Sequence, residues 1–159
     1  MAKSKKTEGI EWNYSASLEG TSHIQLQKKY DLFIGGKFVK PHSGKYFDTI
    51  NPATGEVLAS IAQADETDVD KAVKAARKAY NETWKNMSGK ERGKYLFRIA
   101  RLIQDRAREF AVIETLDAGK TIRESRDVDV PLVANHFFYY AGWADKLEYA
   151  FPNRGIFHY

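Results

Sequence analysis

The chain has 159 residues, no cysteine and a formal net charge of +4, a length that suits one domain with a buried core. Without a thiol there is no disulfide, no thiolate metal site and no cysteine nucleophile, and no apolar run reaches the roughly 18 residues of a membrane span. The basic start Met1-Ala2-Lys3-Ser4-Lys5-Lys6 leads into neither an apolar stretch nor a small-residue cleavage site, so no secretory leader is expected and cytoplasm is the default location.

Residues 1–20 are polar and aperiodic and read as a tail. Tyr30 to Val39 alternates around Gly35-Gly36, and adjacent glycines permit the positive φ of a tight hairpin turn. A second extended pair is expected at Tyr46 to Ile50 and Glu56 to Ala62. The turn cluster Asn51-Pro52-Ala53-Thr54-Gly55 joins them, and Pro52 biases Asn51 toward extended backbone. From Asp65 the period becomes helical. Val69, Ala72, Val73, Ala76 and Tyr80 form one stripe behind a cap at Asp65 or Thr67. Ser88-Gly89-Lys90-Glu91 has the spacing of a capping box, followed by a stripe of Leu96, Ile99, Ala100 and Ile103. A third helix near Arg108 to Asp117 is expected to bury Phe110, Ile113 and Leu116 and to stop at Gly119. The last long helix is expected to start near Asp129, where Pro131 is tolerable in a first turn, and to run to about Glu148. Phe137, Phe138, Tyr139, Tyr140 and Trp143 point to several sides of that helix, which therefore expects partners on several sides.

The basic residues do not make a nucleic-acid patch. Lys90, Arg92, Lys94, Arg98, Arg101, Arg106 and Arg108 share their stretch with Glu91, Asp105 and Glu109, the mixed pattern of a solvated helix face. No nucleic-acid or membrane partner is expected.

Four segments carry more information than the periodicity. Phe33-Ile34-Gly35-Gly36-Lys37-Phe38-Val39, Ile50-Asn51-Pro52-Ala53-Thr54-Gly55-Glu56, Glu114-Thr115-Leu116-Asp117-Ala118-Gly119-Lys120 and Tyr139-Tyr140-Ala141-Gly142-Trp143-Ala144-Asp145-Lys146 resemble, in order and spacing, the opening portion of the NAD(P)-dependent aldehyde dehydrogenases. The likeness covers roughly residues 30–152. It implies a truncated α/β fold: two N-terminal β-hairpins followed by four or five helices of the NAD-binding domain, with the Rossmann-like sheet absent. Residues 21–152 would be the family portion. Residues 153–159 depart from it as a divergent tail, as a truncated or frameshifted gene or a cloned fragment would produce.

The family oxidises aldehydes to carboxylic acids with a cysteine thiolate, and the resemblance offers no catalytic or cofactor-binding residue in this chain. NAD or NADP, used by the intact family, is not expected to bind this chain alone. Ile50, through its backbone carbonyl, and Asp117 match family ligands for a monovalent cation; oxygen ligands suit a hard cation. Local hydrogen bonding at a helix end is the alternative for Asp117. Val128 and Leu132 match positions of the substrate tunnel; four residues apart they share a helix face, and ordinary core is their alternative. The leading expectation is thus an N-terminal aldehyde dehydrogenase fragment, inactive alone. The alternatives are a split-enzyme subunit or a non-enzymatic interaction module using exposed apolar helices; the expected partner is a second copy in a homo-oligomer or a complementing chain carrying the rest of the enzyme.

Other constellations favour ordinary roles. Gly35-Gly36 lacks the spacing of a phosphate loop. Asp127 and Asp129 suit capping and surface charge, and His136 suits a packed helix histidine. His23, His42 and His158 show no metal spacing. Lys120 could face the negative end of the preceding helix.

Overall fold

The computed structural model describes residues 20–151; the expected tails at 1–20 and 153–159 lie outside them, save Gly20. Five short strands come first: β1 (Lys29–Tyr30), β2 (Leu32–Ile34), β3 (Lys37–Val39), β4 (Tyr46–Ile50) and β5 (Val57–Ala62). β2 and β3 pair antiparallel, with Phe33 opposite Phe38. Gly35 and Gly36 between them have φ of 61° and 83°, the left-handed geometry that closes a two-residue hairpin with the sheet's own twist. β4 and β5 also pair antiparallel. Their turn closes with the Asn51 N–H donating to Glu56 O at 2.9 Å and the Ala53 N–H to Asn51 Oδ1 at 3.0 Å, an Asx turn. A feature not foreseen is β1, which pairs in parallel with β5 and makes a three-stranded sheet of order β1-β5-β4. Tyr30 belongs to that sheet rather than to the first hairpin, and two residues are too few for periodicity to register.

The helices follow: α1 (Glu66–Glu82), α2 (Gly89–Asp105), α3 (Ala107–Ala118), the single turn α4 (Ile122–Glu124), a π turn (Ser125–Asp129), α5 (Val130–Trp143) and the short α6 (Leu147–Ala150). The architecture is a small α/β fold with four long helices. Asp65 caps α1 in a reciprocal box with Asp68. Ser88 and Glu91 make the corresponding box on α2, with Glu91 N–H donating to Ser88 Oγ at 3.2 Å and Ser88 N–H to Glu91 Oε2 at 3.1 Å. α3 stops at Gly119, whose φ is 73°, conformational freedom that only glycine supplies cheaply.

The expected start of the last helix needs correction. Helical backbone begins after Thr121, whose side chain accepts the Glu124 N–H, and it continues through the π turn into α5. In the π turn the Val130 N–H reaches back five residues to Ser125 O. Pro131 has no N–H to give and its ring crowds the preceding turn, and a wide turn just upstream relieves that crowding. The helix also ends earlier than expected, at Trp143.

The close packing lies between α2 and α5, the most extensive helix pair. It depends on small residues. A Cβ built on Gly89 would lie 2.3 Å from the Ala144 carbonyl oxygen, and one on Gly93 would lie 3.0 Å from that of Ala141. Ala100 on α2 and Ala134 on α5 are fully buried, joined by Ala111 and Val112 of α3. The expectation for α3 was wrong: Phe110 is exposed, Ile113 and Leu116 are only half-buried, and the buried positions are the smaller Ala111 and Val112. Phe110 instead lines an open cleft of about 290 Å3 with Ile103, Glu114, Asp129, Val130 and Val133.

The α1 stripe behaves differently. Val69, Val73 and Tyr80 are all exposed. What holds α1 is its first turn. Asp68, only 2% exposed, accepts the His42 N–H at 2.9 Å on one oxygen and 3.1 Å on the other, which docks the loop after β3. His42 Nδ1 adds a 2.8 Å contact to Asp65, the main cause holding the Asp65 carboxyl below its usual range. Phe33 and Phe38 stack on each other in the open, ring centroids 5.1 Å apart. Tyr139, Tyr140 and Trp143 of α5 are exposed as well. No helix among the described residues is long and apolar enough to cross a membrane.

Candidate functional site

The candidate site forms where the Asn-Pro turn meets the end of α3. Pro52 packs on Gly119, with a Cβ added to the glycine falling 3.2 Å from Pro52 Cβ. Beside this contact the Thr49 hydroxyl donates to Asp117 Oδ1 at 2.5 Å. Thr49 is the site residue that the sequence reading missed. It sits next to Ile50 in β4, and an oxygen-bearing side chain adjacent to the turn was the available signal. The β4–β5 register shifts between Thr49 and Ile50: Thr49 faces Ala59 and Ile50 faces Val57, so Leu58 is the extra residue of a bulge. Such irregularities redirect a strand end. Asp117 and Thr49 bring a carboxylate and a hydroxyl oxygen together beside the turn, and Ile50 is the next residue of β4; oxygen donors are the type a hard cation takes. Asp117 is the single carboxylate among these three, and no cluster of three or more His, Asp or Glu occurs among the described residues.

A second group of residues lies around the π turn. Ser125 is fully buried and accepts the Thr115 hydroxyl at 3.2 Å. Lys120 Nζ donates to Asp129 Oδ2 at 2.5 Å across a half-buried gap. That hydrogen bond is the first cause raising the Lys120 pKa, against partial desolvation. Lys120 therefore pairs with a carboxylate of the following helix rather than with the end of its own. Asp127 takes two bonds from the Arg126 guanidinium, at 2.7 and 2.9 Å, and is held below the usual carboxylate range by them. Val128 and Leu132 are 53% and 48% exposed, so neither is core among the described residues. His136 is exposed on α5 and not packed.

The β5-to-α1 connection does not have the form of a dinucleotide phosphate loop. A phosphate needs free N–H groups at a helix start and a turn without side chains. The β5-to-α1 connection has no glycine, and its first turn is occupied by the acidic box of Asp65 and Asp68.

The match to the aldehyde dehydrogenase family model runs over residues 38–155. The chain belongs to the aldehyde dehydrogenase family. It is 47% identical over 136 residues to the mitochondrial aldehyde dehydrogenase family 2 member B4 of Arabidopsis thaliana, a match covering 84% of this chain and 25% of that protein. It is 46% identical over 124 residues to an aldehyde dehydrogenase of Alternaria alternata, covering 78% of this chain and 25% of the relative. In three dimensions it resembles the NAD+ complex of the Bacillus cereus aldehyde dehydrogenase, with a TM-score of 0.72 and 41% identity over 74% of this chain and 24% of that one. The chain thus spans about a quarter of the length of these aldehyde dehydrogenases and holds a partial aldehyde dehydrogenase domain.

Proposed function

We propose that the chain is a scaffold portion of an NAD(P)-dependent aldehyde dehydrogenase and is inactive by itself. The observation that carries this reading is the unmatched apolar surface on α1 and α5, at Val69, Val73, Tyr139, Tyr140 and Trp143, in a chain with no cysteine. In the family reaction a thiolate adds to the aldehyde carbonyl, and water later releases the acid from the thioester. NAD(P)+ supplies the hydride acceptor when bound. The thiolate and the dinucleotide site must come from elsewhere, from a complementing chain or from further sequence. On this reading Val128 and Leu132 contribute one wall of the aldehyde passage, and their exposure supports it. Ile50 and Asp117, with Thr49, contribute part of a monovalent cation site. The reading also assigns the protein to the cytoplasm and to an oligomer.

The test is complementation. The purified chain, given NAD(P)+ and a series of aldehydes, should form no NAD(P)H above a mock preparation. Co-expressed with the remaining three quarters of a related aldehyde dehydrogenase, it should copurify and restore turnover. Turnover by the chain alone would overturn the proposal. A stable but inactive complex would favour the second reading, a non-enzymatic interaction module, which the exposed aromatic face of α5 supports independently.

A further inference from the structure

We infer that the π turn at Ser125–Asp129 is a register device for the aldehyde passage, with Lys120, Asp129, Thr115 and Ser125 as its positioning residues; this rests on the passage role proposed for Val128 and Leu132. The burial pattern requires the wide turn. Ser125, Val130 and Ala134 are all buried, at 0%, 8% and 1% exposure. Ser125 and Ala134 are nine residues apart, and a continuous α-helix at about 100° per residue would put them about 180° apart, on opposite sides. A five-residue turn followed by a four-residue turn returns all three to one face. The opposite face then carries Val128, the fourth residue of the wide turn, and Leu132, one ordinary turn later.

A wide turn is poorly stabilised by its own backbone, and such turns recur at functional sites in proteins. This one is tied at both ends. Ser125 is held by Thr115 of α3 at 3.2 Å, and Asp129 by Lys120, just beyond Gly119, at 2.5 Å. Pro131 opposes relaxation into an α register from the other side. Val128 lies between the two ties, so its direction is set by residues other than the proposed wall pair Val128 and Leu132. Loosening the ties should alter which aldehydes are accepted without removing any wall residue.

The experiment uses the full chain in two settings. In the complemented enzyme, Val128→Ala should change the ratio of kcat/KM for a long aldehyde over a short one by roughly tenfold, the scale of a reshaped apolar pocket. Lys120→Met should move that ratio in the same sense, and Lys120→Arg should restore it. General destabilisation would lower both rates and leave the ratio unchanged. In the isolated chain, Lys120→Met should speed amide hydrogen exchange at Val130, whose N–H closes the wide turn. If Val128→Ala leaves the ratio unchanged, the passage reading falls and the inference falls with it. If Val128→Ala moves the ratio while Lys120→Met moves neither the ratio nor the exchange, the inference alone is overturned.

Discussion

Helices α2 and α1 were built from the same kind of amphipathic pattern and ended differently. α2 meets α5 through glycines and alanines at backbone contact distance, and Ala100 and Ala134 lose all their exposure. α1 carries a regular stripe of Val69, Val73 and Tyr80, and that stripe faces solvent. A hydrophobic stripe records that a partner is wanted and does not record which one. In the first case the partner lies within the chain. In the second the described residues contain none, and an apolar face of this kind usually marks an interaction surface.

The sharpest attempt to break this contrast is Gly89→Ala. Alanine gains helix propensity over glycine, worth about 1 kcal/mol in a helix interior and less at a helix start. The added Cβ would lie 2.3 Å from a backbone carbonyl, and overpacking of that kind costs about 1–3 kcal/mol. The clash should win, lowering the urea midpoint. Gly142, on the same pair of helices, has nothing within 4 Å of a built Cβ. Gly142→Ala should therefore raise stability by up to about 1 kcal/mol, and a fall would show that α5 is packed on that side in solution. On α1, the double substitution Val69→Ser, Val73→Ser should change folding stability by no more than about 0.5 kcal/mol per site, the range for surface positions. It should reduce dye binding by exposed apolar surface and reduce self-association; a large stability loss would mean the stripe is covered after all.

The smallest effect is expected in the sheet. The Tyr46 hydroxyl donates to Asp31 at 2.6 Å, and that bond, helped by partial desolvation and the carboxylate's charge, pushes the phenol up to about 12. A raised folded-state pKa favours the protonated form. Its stabilising contribution is fully present below the ordinary tyrosine value near 10 and is lost as pH rises through about 12. Urea midpoints measured upward from neutral pH should fall in this window for the wild type and fall less for Tyr46→Phe.

The local signals were legible where one residue type answers one backbone demand. Ser88 with Glu91, Asp65 before α1 and Gly119 after α3 each announce a helix end. Long-range outcomes were less legible. Phe110 and His136 looked like core from their neighbours and are exposed, because burial depends on what crosses the helix and not on its own period. The π turn hides because its buried residues are spaced five and then four apart, which matches no single helical period. Of the candidate site, Asp117 and Ile50 were marked by resemblance. Thr49, the residue that touches Asp117, had only its place beside the turn to mark it; the contact itself depends on the Asn-Pro turn being seated on Gly119.

The Asp68 carboxylate has a consequence for how the chain assembles. The first turn of a helix is the costly one to form, since several residues are fixed for one bond. In α1 that turn shares its acidic box with the His42 N–H, 26 residues earlier. The start of α1 and the docking of the loop after β3 thereby draw on one carboxylate. Removing that carboxylate would unfasten a local helix start and a long-range contact together.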